Sequence, residues 1–448
     1  MLRKTKFFVT FFLGLLSVTG QVPGTAVMPL KETRNIFGGT GSEVDNSMVS
    51  TADGGYAIAG RTLSNDGDVS GNHGGADFWI VKFSSHGNIE WKKTFGGSGN
   101  ETPRTIIQTS DGGYAVTGST LSNDGDVSGN HGTTTSDIWV IKLSSTGALQ
   151  WQKTFGGTTN EYGKVIIQTS DGGYMLGGET NSNSGDVTGH QGNFDFWVVK
   201  ISSTGVLQWQ KTLGGTGTEY LYSLIQTSEG GYIMTGQASS NNGDVSGNHG
   251  AVDLWVAKIS STGTLQWQKT FGGTNSDYGQ VIIQTSDGGY TITGNTQSND
   301  GDVSGNHGGT DYWVIKLNSA GTLQWQKTFG GTGNDVGRSM IRTADGGYVV
   351  AGNTQSNDGD ISGNHGSSDF WVLKLSSNGT LEWQKTLGGT SSDVAYAVIP
   401  GQNGYWVSGP SSSNNGDIAG PVNGSGDFLI LKLDANGNNV RIYDDIAP

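Results

Sequence analysis

The chain has 448 residues, of which 77 are glycine and none is cysteine, and its formal net charge is −14. The lack of cysteine excludes disulfide bonds and thiolate chemistry. The acidic balance argues against a nucleic-acid ligand, because such binding rests on the neutralisation of phosphates by Lys and Arg. It is compatible with cations or with neutral ligands such as sugars.

The N-terminal segment predicts a signal peptide. A basic cluster over residues 3–6 precedes an apolar run over residues 7–18, which is the arrangement of a secretory signal and is too short to span a bilayer. Cleavage after Gly20 or Ala26 fits the preference for small residues at the cleavage site. We assign residues 1–26 to the signal. We expect the mature protein outside the cell or on its surface, with the periplasm as a further possibility and no membrane span.

A repeat organises the rest of the chain. A Phe/Leu-Gly-Gly marker opens seven units, and a tyrosine after a Gly-rich turn recurs once in each unit. The markers begin at Phe37, Phe95, Phe155, Leu213, Phe271, Phe329 and Leu387, so that successive starts are 58 or 60 residues apart. Such a period is typical of solenoids and propellers. No sequence is left for a second domain, and we predict a single domain over residues 27–448.

Each unit contains four runs with strand character. In the second unit, a first run is followed by the hairpin turn Asp-Gly-Gly, a second run, a long polar loop, and then a third and a fourth run joined by a Ser-Thr-Gly turn. These runs occupy residues 105–109, 114–118, 138–143 and 149–154. The pattern predicts a four-stranded antiparallel meander that is repeated seven times.

The third run shows how the meanders pack. It is apolar on both alternating faces, which in the first unit are formed by Trp79, Val81 and Phe83 and by Phe78 and Ile80. A strand of this kind is covered on both sides. Four-stranded sheets covered on both faces predict an all-β, seven-bladed β-propeller with about 58 residues per blade. A β-solenoid is the alternative, but its coils are shorter and lack the meander.

One unit also carries a family resemblance. Residues 106–118, IIQTSDGGYAVTG, followed by residues 137–147, DIWVIKLSSTG, resemble the delta-sixty type of repeat found in bacterial secreted and cell-surface β-propellers. The resemblance covers residues 37–444. It implies the propeller fold and an exported protein, and it says little about the ligand.

Closure of the ring has two candidate segments. The last unit lacks the tryptophan that marks the fourth run elsewhere, and this run should fall near residues 439–444. Residues 31–36, just before the first marker, align with the same strand position. We predict that one of these segments completes the last blade.

The loop between the second and third runs has the spacing of a calcium site. Oxygen-bearing side chains stand at positions 1, 3, 5, 7 and 12, with glycine at position 6, as in EF-hand loops. The set is complete in three units: Asp66, Asp68, Ser70, Asn72 and Asp77; Asp300, Asp302, Ser304, Asn306 and Asp311; and Asp358, Asp360, Ser362, Asn364 and Asp369. These residues are the predicted ligands of weakly bound Ca²⁺.

A purely structural turn is the alternative to a metal site. Asn, Asp, Ser and Gly also satisfy turn backbone by local hydrogen bonds, and the flanking elements are strands instead of helices. The other four copies depart from the pattern. Asn242 takes position 1 in the fourth unit, and Ser184 and His190 take positions 1 and 7 in the third. Two extra residues precede Asp137 in the second unit, and Ala419 and Pro421 take positions 5 and 7 in the seventh. Both interpretations stay open at the sequence level.

An acidic residue follows each Gly-Gly pair by four positions. These residues are Glu43, Glu101, Glu161, Glu219, Asp277, Asp335 and Asp393. In a propeller they would surround the mouth of the central channel and could attract a cation or ligand. Alternatively, each caps the following strand or pairs with a neighbour such as Arg104, Lys164 or Arg338. Three have an adjacent tyrosine, and the candidate ligand residues are Glu161, Tyr162, Glu219, Tyr220, Asp277 and Tyr278.

We predict that the recurring tryptophans pack between blades and that the loop histidines are exposed to solvent. Tryptophan recurs at two strand positions in nearly every unit, which indicates blade packing more than sugar stacking. Most histidines fall in the loops, where we expect them to face solvent. No nucleophile elbow, phosphate loop or zinc motif is present, and near-identical units argue against an active site.

The sequence therefore predicts a non-enzymatic, secreted or surface-exposed propeller with a binding or structural role. It would be a monomer, stabilised by calcium, and would present its repeated loops to a surface protein for interaction or adhesion. A lectin-like glycan binder is the alternative, and a propeller hydrolase or lyase is a more distant one.

Overall fold

The computed structural model describes residues 36–132, 134–418 and 426–440. Within these ranges the protein consists of β-strands, turns and loops, and it has no helix that could cross a membrane. The predicted signal peptide over residues 1–26 lies outside the described residues.

Seven four-stranded antiparallel sheets form the molecule. The innermost strands are β2 (Glu43–Ser50), β6 (Glu101–Gln108), β10 (Glu161–Gln168), β14 (Glu219–Gln226), β18 (Asp277–Gln284), β22 (Asp335–Arg342) and β26 (Ala397–Gly401). The second strands are β3 (Tyr56–Thr62), β7 (Tyr114–Thr120), β11 (Tyr174–Thr180), β15 (Tyr232–Ala238), β19 (Tyr290–Thr296), β23 (Tyr348–Thr354) and β27 (Gly404–Ser411). The third strands are β4 (Asp77–Phe83), β8 (Asp137–Leu143), β12 (Asp195–Ile201), β16 (Asp253–Ile259), β20 (Asp311–Leu317), β24 (Asp369–Leu375) and β28 (Asp427–Asp434). The outermost strands are β5 (Ile89–Phe95), β9 (Leu149–Phe155), β13 (Leu207–Leu213), β17 (Leu265–Phe271), β21 (Leu323–Phe329), β25 (Leu381–Leu387) and β1 (Ile36–Phe37).

The sheets are arranged radially around a central axis. Innermost strands of successive blades contact each other, and β2 of the first blade contacts β26 of the seventh, so the ring is closed. The prediction of a seven-bladed β-propeller with four antiparallel strands per blade is confirmed.

The N-terminal segment completes the last blade. Strand β1 pairs with β28 in the register Ile36 to Leu429 and Phe37 to Phe428. The C-terminal candidate contributes only an isolated bridge between Asn439 and Leu433. The rest of both candidate segments lies outside the described residues.

The hydrophobic core lies between blades instead of within one. Each cluster of buried side chains joins two neighbouring sheets, as where Phe78 and Ile80 of the first blade pack with Trp139 and Ile141 of the second. The third-strand tryptophans are fully buried, and Trp139 also donates a hydrogen bond to Gln152 (3.0 Å). These tryptophans therefore hold blades together, and no ligand could stack on them.

Candidate functional site

The predicted calcium loops fasten the chain segment that enters the innermost strand. Asp66 accepts hydrogen bonds from the backbone amide and the hydroxyl of Thr40, both at 2.8 Å. Asp68 accepts one from the amide of Gly38 (3.1 Å). The fifth and sixth units repeat the arrangement: Asp300 accepts from Thr274, Asp302 from Gly272, Asp358 from Thr332 and Asp360 from Gly330.

The serine and the asparagine of each predicted calcium loop stabilise the conformation of that loop. The carbonyl of Ser70 accepts a hydrogen bond from Thr94 of the outermost strand (2.9 Å), and Asn72 bonds to backbone groups on both sides of the loop. Equivalent contacts are made by Ser304, Asn306, Ser362 and Asn364.

The last acid of each loop is buried against a histidine. One oxygen of Asp77, Oδ2, accepts from the backbone amide (2.9 Å) and lies 2.7 Å from the ring Nδ1 of His73. Asp311 with His307 and Asp369 with His365 repeat this pair. These histidines are exposed to solvent, as expected, and each ring also contacts a buried carboxylate.

The loop side chains thus face separate backbone donors and do not converge on one point. Among the described residues, no group of three or more His, Asp or Glu side chains is arranged to hold a metal ion. The geometry supports the turn interpretation for Asp66, Asp68 and their equivalents. Calcium binding stays a prediction.

The acids that follow Gly-Gly lie at the junctions between blades. Glu161 is fully buried, where it accepts hydrogen bonds from the amide of Gly157 (2.7 Å) and the hydroxyl of Thr180 (2.7 Å). A Cβ added to Gly156 would lie 2.5 Å from an oxygen of Glu161 and 2.5 Å from one of Asp137 in the preceding blade. Burial raises the pKa of both carboxyls.

This burial corrects one sequence expectation. Glu161, Glu219 and Asp277 are completely buried, so a solute in the channel could not contact them in this structure. The capping role is the one that the structure shows, because Glu219 and Asp277 likewise accept from the amides of Gly215 and Gly273. The adjacent Tyr162, Tyr220 and Tyr278 are only half-buried.

The channel itself is lined by a ring of residues that lie further along the innermost strands than the buried acids. In each of the first six blades, the strand register shifts at the third residue after the buried acid. Such a β-bulge re-aims one side chain. A glycine opposite permits it: a Cβ on Gly178 would lie 2.1 Å from the carbonyl oxygen of Tyr162. The residues at the bulge position, which we call the channel ring, are Asn46, Arg104, Lys164, Tyr222, Gln280, Arg338 and, in the seventh blade, Tyr396.

The channel ring breaks the symmetry of the molecule. The ring position differs from blade to blade, as do the residues on either side of it, and it carries amides, phenols and three cations. Together with small polar and apolar neighbours it encloses a cavity of about 450 Å³. An acidic protein therefore has a channel whose ring carries positive charge and no carboxylate.

The three cations of the ring differ in their partners. Lys164 forms an ion pair with Glu179 of strand β11 (2.9 Å). The guanidinium of Arg338 lies 4.8 Å from the ring centroid of Tyr396, a distance suited to a cation–π contact. Arg104 is exposed, and within the described residues no carboxylate lies in ion-pair distance of it. Two of the three positive charges are thus left to bind a ligand.

Glu179 lies behind the ring and is almost completely buried. Burial raises its pKa to about 7, although the neighbouring cations Lys164 and Arg104 oppose this shift. Its second oxygen, Oε2, has no hydrogen-bond partner among the described residues. The Lys164–Glu179 pair is therefore charged on both members only at neutral pH and above.

A smaller pocket opens beside the ring, between the second and third blades. Its volume is about 210 Å³, and it is lined by Asn100, Thr102, Arg104, Ser119, Leu121, Ser136, Tyr162 and Lys164. Tyr162 begins a row of aromatic rings, because Phe194 lies 5.9 Å from it and 5.7 Å from Tyr220. We call this cavity the mouth pocket. The structure thus brings Tyr162 and Tyr220 together, but it leaves Tyr278 outside the row.

Sequence reasoning missed the channel ring, although a signal was present. The notion that near-identical units argue against a specific site holds for most positions, but the ring position varies from unit to unit. The net charge also suggested cations or neutral molecules as ligands, whereas the channel ring is positive. The comparison of one position across all seven units would have found this site.

The fold and this site define a β-propeller with an asymmetric, cationic central channel. No model of a known protein family matches the chain. The chain is similar to the regulatory protein FlaEY of Caulobacter vibrioides, with 24% identity over 386 residues, which cover 77% of this chain and 39% of FlaEY. It therefore spans well under half the length of this relative.

Solved structures with similar folds include a puromycin hydrolase and a WD40 propeller. The puromycin hydrolase is 11% identical with a TM-score of 0.51, over 90% of this chain and 55% of that one. The WD40 domain of Doa1 is 13% identical with a TM-score of 0.49, over 90% of this chain and 97% of that one. At 11% identity the likeness to the puromycin hydrolase shows the fold alone.

Proposed function

We propose that this protein is a non-enzymatic binding propeller that takes an acidic ligand into its central channel. The observation that carries the proposal is the channel ring, where near-identical blades diverge and where Arg104, Lys164 and Arg338 meet. Repeated positions serve the fold, whereas a varied, cationic ring in an acidic protein serves recognition.

The channel's own hydroxyl groups support binding over catalysis. Thr105 donates to the carbonyl of Lys164 (2.7 Å), and Ser47 accepts from the amide of Ile106 (3.2 Å). Ser223 and Ser339 bond in the same way to amides of the next blade. Each of these hydroxyls is held by backbone groups, and no histidine is among the residues lining the channel, so none has the base of a Ser–His nucleophile pair.

Export to the cell exterior is part of the proposal. It rests on the basic and apolar pattern of residues 1–26 and on the resemblance to delta-sixty repeats. A surface glycan or the acidic segment of a surface protein is then the ligand that such a channel would meet. The proposed calcium stabilisation concerns the loops and is independent of the channel.

An array of immobilised neutral glycans, acidic glycans and acidic peptides tests the proposal. Wild-type protein should bind acidic members selectively, and Arg104→Gln combined with Arg338→Gln should abolish that binding. The matched control is Lys93→Gln combined with Lys269→Gln, because both lysines are exposed on outermost strands and the charge change is the same. Equal binding by both double variants, or no preference for acidic members, would refute the proposal.

A further inference from the structure

We infer that the mouth pocket between the second and third blades is a subsite for a single uronic acid residue of an acidic saccharide. This inference rests on the proposed function and deepens it. The ligand would place its carboxylate against Arg104 and its ring against Tyr162.

The charge of the pocket is the first argument. Its lining includes two cations, Arg104 and Lys164, and no acidic residue. Arg104 has no carboxylate partner within the described ranges, and its planar guanidinium can bind a carboxylate through two parallel hydrogen bonds. The pocket therefore favours an anion.

The shape and the remaining lining indicate a sugar. Tyr162 presents a half-buried ring to the pocket, and Leu121, which is 40% exposed, also lines it. The hydroxyls of Thr102 and Ser119 make no hydrogen bond within the described part of the chain. Apolar faces together with free hydroxyl groups match a pyranose ring, whereas an acidic peptide side chain would use the cations only.

The size of the pocket limits the ligand to one residue. A volume of about 210 Å³ is below the range of pockets that hold drug-sized ligands. The pocket continues into the channel, because it shares Arg104 and Lys164 with the larger cavity. Further acidic residues of the same saccharide could then extend toward Arg338.

The chain offers a matched control in the fifth blade. The junction of the fourth and fifth blades carries Tyr278 at the position of Tyr162, with Tyr222 and Gln280 in place of Arg104 and Lys164. It has the aromatic ring but neither cation. Tyr278→Ala therefore removes the same side chain from a place that should not bind an acid.

The test is an NMR titration of the folded protein with glucuronate, with glucose and with a short glutamate-rich peptide. We expect glucuronate to bind, glucose to bind at least about tenfold more weakly, and Arg104→Gln to weaken glucuronate binding by about tenfold or more. Tyr162→Ala should also weaken it, and Tyr278→Ala should leave it unchanged. Circular dichroism of each variant checks that it is folded.

Three results would overturn the inference. They are equal affinity for glucuronate and the peptide, equal effects of Tyr162→Ala and Tyr278→Ala, and no glucuronate binding at all. If acidic array members still require Arg104 and Arg338 in those cases, the proposed function stands and only the saccharide subsite fails. If they do not, both fail.

Discussion

At the scale of single residues, buried carboxyl groups decide how this protein responds to pH. Glu179 is the clearest case, because it is desolvated, pairs with Lys164 and contributes to the environment of three tyrosines, Tyr162, Tyr220 and Tyr222. Its pKa, raised to about 7, places its titration in the physiological range.

Acidic ligands should bind more tightly as the pH falls through about 7. Protonation of Glu179 releases Lys164 from its ion pair, and an anion in the channel stabilises the protonated carboxyl in return. The affinity measured between pH 8 and pH 6 should rise in wild-type protein. In Glu179→Gln it should be uniformly high and independent of pH, and an unchanged pH profile in that variant would contradict the assignment.

The same residue makes the folded protein more stable at low pH, in the same direction as its effect on affinity. Because the pKa of Glu179 in the folded state is above its ordinary value of 4.5, the folded state holds this proton more tightly than the unfolded state between pH 4.5 and about 7. The contribution of Glu179 to stability therefore decreases as the pH rises through that window. Denaturant unfolding of wild type and Glu179→Gln at pH 5 and pH 8 should show this difference, and parallel behaviour would contradict it.

At the scale of elements, a lysine of the third strand is paired with an acid of the first hairpin in each of the first six blades. Lys142 is nearly buried, and its ammonium group binds Asp111 of the Asp-Gly-Gly hairpin (2.9 Å) and the carbonyl of Leu143 (3.0 Å). Hydrogen bonds from Thr109 and Lys142 lower the pKa of Asp111 to about 2. The sequence shows the hairpin turn but not this contact, because the lysine and the aspartate are about half a unit apart and only the strand register brings them together.

Removal of Asp111 alone should lower the free energy of unfolding more than removal of both Asp111 and Lys142. Asp111→Ala leaves a buried ammonium without its counter-ion, whereas Asp111→Ala combined with Lys142→Met replaces the pair with apolar atoms. We expect the single variant to lose about 1–3 kcal/mol of unfolding free energy and the double variant to lose less. Urea unfolding measures both, and a double variant at least as unstable as the sum of the single ones would contradict this account.

The loops are the second element whose role can be tested. Because Asp68, Asp302 and Asp360 each accept a backbone hydrogen bond, changing all three to alanine should lower the melting temperature even in EGTA. The calcium prediction expects in addition that millimolar calcium raises the melting temperature of wild type and not of this variant. An unchanged melting temperature in EGTA would contradict the turn role, and no response of wild type to calcium would contradict the metal prediction.

At the scale of the whole molecule, the sequence predicted most of the fold and little of the site. The period, the two-sided apolar third strand and the Gly-rich turns were enough for seven blades, because these features repeat and reinforce each other. For the acids after Gly-Gly the sequence left both the channel and the capping role open, because only the folded loop identifies the glycine amides that they accept from. Arg104 and Arg338 were seen only as neighbours of those acids, because β-bulges that re-aim them are not visible in an alternating pattern.

Recognition of an acidic ligand by the channel ring can be tested by crystallography. A crystal structure of the protein with a bound acidic oligosaccharide, selected from the array, tests it most directly. We expect ligand density inside the channel, with carboxylate groups in contact with Arg104 and Arg338. Density confined to the predicted calcium loops or to the outer strands, with an empty channel, would contradict it.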